Sequence, residues 1–453
     1  MPEPRINWPA EGSREANPTL EWVRWRLRGA SMLGLHMVSF QRNCLERTKV
    51  FVGLWVLSSC AWMHLSSLPQ NVLGAVQDDS SRPTANGTDE TNPEAITVRT
   101  WDRLEIKLGD ESARTVDGKI EVEALDGSVL FQDMLGHLLI LRKTEVLGRE
   151  QRDQPVELNE SALETRLKQE LPDGFRMHQT KHYTICYWTD REYAQWVGAL
   201  YERLFAGFNN YWKNRGFDPQ PAKRPLIVLV FANRAQFERF ARTDMKAEPT
   251  GIIGYYHVLN NWVVMYDLMA DGQFGNRDRG LSQALSHPNA VPMVATIVHE
   301  ATHQLMYNNG MQQRLADIPL WVSEGLAVYF EAPDLTSKQG WKGIGKINIL
   351  RFHRAKQYLN QRPADSLATL IRDDKRFRAG ADTLDAYAEA WALNYFLLKK
   401  YAKPYQAYLQ ELSKKTPLVQ QTGEERIALF EEKLGKSLVE IDREFVQFLQ
   451  KLQ

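Results

Sequence analysis

Two histidines and two glutamates carry the chemistry for which this sequence can be read. His299-Glu300-Ala301-Thr302-His303 sets two imidazoles four residues apart in an apolar stretch, with a carboxylate beside the first. On a helix, residues i and i+4 leave the same face, so both rings project together. Two neutral imidazoles at this spacing bind Zn²⁺ at about 2.0–2.1 Å. Glu300 falls about 100° further round the helix, beside such an ion rather than on it, where a general base for a metal-activated water must be. Val294, Ile297, Val298, Ala301 and Leu305 form the core-facing side, and Gly310, after Asn308 and Asn309, is a natural stop. The next apolar segment predicts a second helix that starts near Pro319 and carries Trp321, Glu324, Gly325 and Glu331. The twenty residues between His303 and Glu324 hold a turn and a returning helix, which brings Glu324 in as a third ligand. Two His and one Glu, with a fourth position open to water, is a catalytic rather than a structural zinc arrangement.

The elements that must position these residues are legible as an α+β pattern. His182–Trp188 is a predicted strand, and Thr189 with Glu192 three residues on matches a capping box. The helix after it presents Val197, Leu200, Tyr201, Leu204, Phe205, Phe208 and Trp212 at i, i+3, i+4 spacing. Pro225–Phe231 is a continuous apolar run, which suits a central buried strand. Residues 235–241 are a predicted short helix. The runs on either side of Asn260-Asn261 are a predicted hairpin, and 271–290 a loop. Short alternating runs from 96 to 147, punctuated by Asp117-Gly118 and Asp126-Gly127, predict a small module of four or five strands. Amphipathic helices fill the last hundred residues, and Asp373–Arg378 reads as a solvated charge run. His182, His257, His287 and His353 lack metal spacing, and Cys186, alternating with apolar residues in a strand, reads as a buried thiol.

The amino terminus has the pattern of an address. Basic residues between 24 and 49 precede the apolar run Phe51–Leu65, which is short for a membrane span. A cleaved secretory signal, a lipid-modified Cys60 and an uncleaved anchor all fit, and each exports the rest of the chain. Residues 76–95 are a polar linker. The predicted organisation is therefore an export signal or anchor (1–75), the linker, a β module (96–147), a catalytic subdomain (174–335) and a helical subdomain (336–453). The 453 residues carry 56 Lys plus Arg and 56 Asp plus Glu. Such a balance argues against nucleic acid as a partner. Three cysteines, Cys44, Cys60 and Cys186, cannot build a disulfide scaffold.

His299-Glu-x-x-His303 followed by Trp321-Val-Ser-Glu324-Gly325-Leu-Ala327 resembles the gluzincin side of the zincin metallopeptidases, and within it an uncharacterised bacterial family with a peptidase-MA-like domain. The resemblance covers about residues 174–400. It implies a zincin-like fold, His299, His303 and Glu324 as zinc ligands and Glu300 as base, but gives no substrate; a peptide or protein substrate is the expectation of the hydrolytic reading itself. Two departures matter. The stretch Tyr255–Trp262 has no carboxylate to anchor a substrate amine, which disfavours an aminopeptidase. Position 328 is Val where thermolysin-type sites have an Asp, so the outer support of the histidines must come from elsewhere. An oxyanion donor is also needed. Tyr387 is the candidate, in a Tyr-x-x-x-Trp pattern that resembles family members, on a helix whose inward stripe is Tyr387, Trp391, Asn394 and Leu398. Tyr256 and Tyr329 are the alternatives. The expectation is an exported zinc peptidase, an endopeptidase before an exopeptidase. The competing reading is a non-catalytic zinc-containing binding or scaffold protein on the same fold.

Overall fold

Short apolar runs separated by turn residues become strands in the computed structural model of the chain, and the i, i+3, i+4 stripes become helices. The structure describes residues 101–152, 158–222, 224–270, 290–331, 343–378, 380 and 382–453. The export segment, the 76–95 linker, most of the predicted 271–290 loop, and His287 lie outside the described residues. Among the described residues the architecture is α+β, with two five-stranded sheets. Among the described residues no helix is long and apolar enough to cross a membrane. Residues 101–134 and 138–152 make one compact unit, and residues 135–137 with those from 158 onward make another.

The first unit is an antiparallel sheet of β1 (Trp101–Ile106), β2 (Arg114–Glu123), β3 (Val129–Asp133), β4 (Leu138–Leu141) and β5 (Val146–Arg152), in the order β4-β3-β2-β1-β5. One face closes over Leu104, Ile106, Ile120, Val129, Phe131, Leu139 and Leu141. Period-2 alternation puts Asp102 on the buried side of β1 as well, where Arg149 holds it at 2.8 Å.

In the second unit, helix α1 (Glu160–Glu170) precedes a sheet of β6 (Arg176–Gln179), β7 (Tyr183–Tyr187), β8 (Leu226–Phe231), β9 (Gly254–His257) and β10 (Trp262–Tyr266). Its order is β6-β7-β8-β10-β9, with β7, β8 and β10 parallel and the outer two antiparallel. β8 is buried along its whole length at the centre, as a continuous Leu/Ile/Val run requires. Helix α2 (Arg191–Lys213) lays its apolar stripe on this sheet, except that Phe205 is half-buried and stacks on His182. The capping box expected at Thr189 does not form. Asp190 occupies the cap, and Thr189 donates its hydroxyl to the buried Asp267 beyond the end of β10. A long-range partner in a dry site outcompetes an exposed local one. Helix α3 (Arg234–Met245) runs one turn beyond the predicted 235–241, and Asn233 caps its start through the Gln236 amide. Cys186 is a buried free thiol.

The helices that follow are α4 (Ala290–Asn308), α5 (Leu320–Phe330), α6 (Ile349–Tyr358), α7 (Ser366–Arg372), α8 (Lys375–Arg378), α9 (Thr383–Lys400), α10 (Ala402–Leu412), α11 (Gly423–Leu434) and α12 (Leu438–Lys451). The run Asp373–Arg378 is not a uniformly solvated face. Asp374 accepts from the Leu320 amide at 2.9 Å, Arg376 reaches Glu389 at 2.8 Å, and Phe377 is buried. Composition showed the charges, but their buried partners are distant in the chain.

Candidate metal centre

Helix α4 is buried on nearly every side, polar residues included. Its apolar face rests on the sheet, and polar clamps fix its height. The Gln304 amide donates to the Ile227 carbonyl on β8 at 3.0 Å and to the Asn261 carbonyl at 2.7 Å. Asn308 and Asn261 exchange side-chain hydrogen bonds at 2.7 and 2.9 Å. Asn261 has the left-handed backbone (φ 62°) that suits Asn in the β9–β10 turn. From the other side, Tyr201 of α2 donates to the Ile297 carbonyl at 2.9 Å. Gly310, at φ +84°, ends the segment as its position after the helix requires.

Helix α5 is positioned from its amino end and from its flank. Asp374 receives the first amide, and Arg426 of α11 binds both Asp317 and Asp374. On the flank, α5 lies so close to α9 that a Cβ on Gly325 would come within 2.1 Å of the Asn394 amide nitrogen and 2.7 Å of the Ala390 carbonyl oxygen. Asn394 uses that proximity to donate to the Trp321 carbonyl at 2.9 Å. Glycine directly after Glu324 is thus what allows the two helices to approach.

These constraints bring His299, His303 and Glu324 together, all buried. His299 Nε2 lies 3.1 Å from Glu324 Oε2 and 3.2 Å from His303 Nε2. His303 Nε2 lies 3.5 Å from Glu324 Oε1. Ligand atoms 2.0–2.1 Å from a tetrahedral centre stand about 3.3 Å apart, and the three observed spacings bracket that value. Two ring nitrogens and a carboxylate thus face one another in a buried site. The group could hold a metal ion.

The charges respond to the same geometry. Burial pulls the His299 imidazole down, but hydrogen bonds to Glu324 and Glu331 outweigh it and leave the group at about 10. His303 is lowered, by burial above all. Burial also opposes ionisation of Glu324, yet His303 and His299 hold it well below the usual carboxylate range. Glu300, buried alongside, is pushed up to about 8 by desolvation, against the pull of His299. Glu300 is not one of the three clustered donors. Its Oε2 accepts the Tyr256 backbone N–H, from edge strand β9, at 2.8 Å.

Tyr387 is buried on α9, its ring edge-on to Phe377 and the Arg351 guanidinium 5.3 Å from its centre. The Tyr256 hydroxyl donates to Asn261 at 2.9 Å, and its ring stacks on Tyr307. Tyr329 accepts from Tyr211 at 2.9 Å. His182 pairs with Glu202, His257 is buried near Asp244, and His353 is exposed. Three contacts escaped the sequence reading. Glu331 Oε2 is 3.4 Å from His299 Nδ1, and Ser323 Oγ is 3.4 Å from His303 Nδ1. The third is the Tyr256 amide, which carries no side-chain signature. Glu331 did have one, since it stands seven residues, about two turns, beyond Glu324 on the same helix.

No curated protein matches the chain. A crystal structure described as a functionally unknown conserved protein mutant from Bacillus anthracis strain Ames is 12% identical over 78% of this chain and 69% of that chain. Its TM-score is 0.29, too low to carry an argument about fold or function. Residues 293–419, from within α4 to beyond α10 and including His299, His303, Glu324 and Tyr387, match the family described as protein of unknown function (DUF1570).

Proposed function

We propose that this chain is an exported or surface-anchored zinc-dependent peptidase of gluzincin type, built on a zincin-like fold and acting within peptide chains. The observation that carries the reading is the convergence of His299, His303 and Glu324, with Glu300 buried next to them and tied by one oxygen to the Tyr256 amide. Zinc held by the three residues supplies Lewis acidity toward a scissile carbonyl and a water. Glu300 is the base. It takes a proton from the attacking water and delivers it to the departing amine nitrogen. The Tyr256 N–H keeps the carboxylate oriented through both transfers, so no orientational freedom is lost at the moment of reaction. Tyr387 is proposed as the donor to the oxyanion. Its ring neighbour Arg351 also faces Glu331, and Glu331 reaches His299 Nδ1 at 3.4 Å. The donor set also favours zinc, because two imidazoles with one carboxylate are a catalytic zinc set.

The test is metal content and peptide-library hydrolysis by the full chain, before and after chelation. One zinc per chain, cleavage at internal bonds and recovery of cleavage on adding zinc back are expected. Zinc bound without any hydrolysis would sink the peptidase reading in favour of a binding or scaffold role. Absence of zinc would sink both.

A further inference from the structure

His299 lies between two carboxylates of a single helix. Glu324 meets its Nε2 at 3.1 Å, and Glu331, at the carboxyl end of α5, meets its Nδ1 at 3.4 Å. A neutral imidazole has one N–H and one lone pair. If Nε2 directs its lone pair toward a cation, the proton must sit on Nδ1, and in a buried site that proton needs an acceptor. Glu331 is the acceptor within reach. His303 has a neutral counterpart: its Nδ1 faces Ser323 Oγ at 3.4 Å, and that hydroxyl donates onward to Gln312 at 3.3 Å. The two ligands are therefore supported unequally, one by a charge and one by a hydroxyl.

We infer that Glu331 is a positioning residue of the metal centre: it fixes the His299 tautomer and ring orientation and strengthens that imidazole as a ligand. It fills the role left vacant by Val328, from a place one helical turn further along α5. Its own setting is prepared from the next helix. Asn348, the cap of α6, and Arg351 in its first turn both face the Glu331 carboxylate, and Asn348 also accepts the Arg351 amide at 3.2 Å. A carboxylate oxygen that accepts the ligand's other N–H makes that imidazole a better donor, which raises the affinity of the centre for a divalent cation.

The inference rests on the zinc reading above, and the experiment separates the two. Zinc affinity of the full chain is measured by competition with a chromophoric chelator, for wild type, Glu331→Gln and Glu331→Ala. The visible spectrum of the cobalt-substituted proteins is recorded alongside. Glu331→Ala should bind zinc on the order of 10–100-fold more weakly. Glu331→Gln keeps an oxygen to accept the Nδ1 proton and should recover part of that loss, with cobalt bands closer to wild type. It also serves as the measurable variant if the alanine protein does not fold. Wild-type zinc binding with unchanged affinity and spectrum in the variants would overturn the role of Glu331 alone. A wild-type chain that binds no zinc would instead overturn the reading on which it rests.

Discussion

Glu300 Oε2 and the Tyr256 backbone N–H are 2.8 Å apart, which ties the residue after the first histidine to the edge strand of the sheet. Replacing Glu300 by Gln preserves size and leaves His299, His303 and Glu324 untouched. Zinc content and folding should survive, while peptide hydrolysis falls on the order of 10²–10⁴-fold, the usual contribution of a general base. Single-turnover assays with equal zinc loading check this. Wild-type rates in Glu300→Gln would remove Glu300 from the chemistry.

Tyr387→Phe deletes one hydroxyl and keeps the ring that faces Arg351 and Phe377. If Tyr387 meets the oxyanion, kcat should fall about 10²–10³-fold with zinc affinity unchanged. An unaffected kcat would reduce Tyr387 to a buried neighbour of Phe377 and Arg351.

Gly325→Ala should be far more harmful than an alanine inside a helix normally is. The added methyl meets the Asn394 amide and the Ala390 carbonyl well inside van der Waals distance. Either α5 and α9 separate or Asn394 gives up its bond to Trp321. The expected cost is about 1–3 kcal/mol in urea unfolding, with weaker zinc binding because Glu324 moves with the helix. A variant as stable as wild type would contradict the close approach of the two helices.

Lys415 donates to the Asp317 carbonyl at 2.6 Å, beside the Arg426 clamp at the start of α5. Burial lowers it from 10.5 to about 8, and the Asp317 charge restores only part of the difference. Between those two values the unfolded chain holds the extra proton. Stability from this group therefore rises with pH, by roughly 1.5 kcal/mol from pH 8 to 9.5. Lys415→Met should abolish that increment. Urea midpoints for both proteins at the two pH values decide it, and parallel pH dependence in wild type and variant would refute it.

The donor cluster was legible in the chain. His299 and His303 share a helical face because of their spacing alone, and the strength of the apolar patterns made β8, α2, α4 and α5 readable. Glu324 was also within reach, because a turn and a returning helix leave few other places for a carboxylate twenty residues on. What only the tertiary structure decided involves partners far apart in sequence or lacking a side-chain signature. The Tyr256 amide that holds Glu300 is one of many identical backbone groups until β9 is laid along α4. Thr189 left its expected cap for Asp267, and Asp374 left the solvated surface for the first amide of α5, because buried polar groups must find partners and the nearest in space were not the nearest in sequence. Glu331 lies between these cases. Its two-turn spacing from Glu324 was in the sequence, but the rotation of α5 against α4 determined that it would meet His299 Nδ1. A helix pattern specifies which residues share a face. The packing of that helix on its neighbours specifies what the face meets.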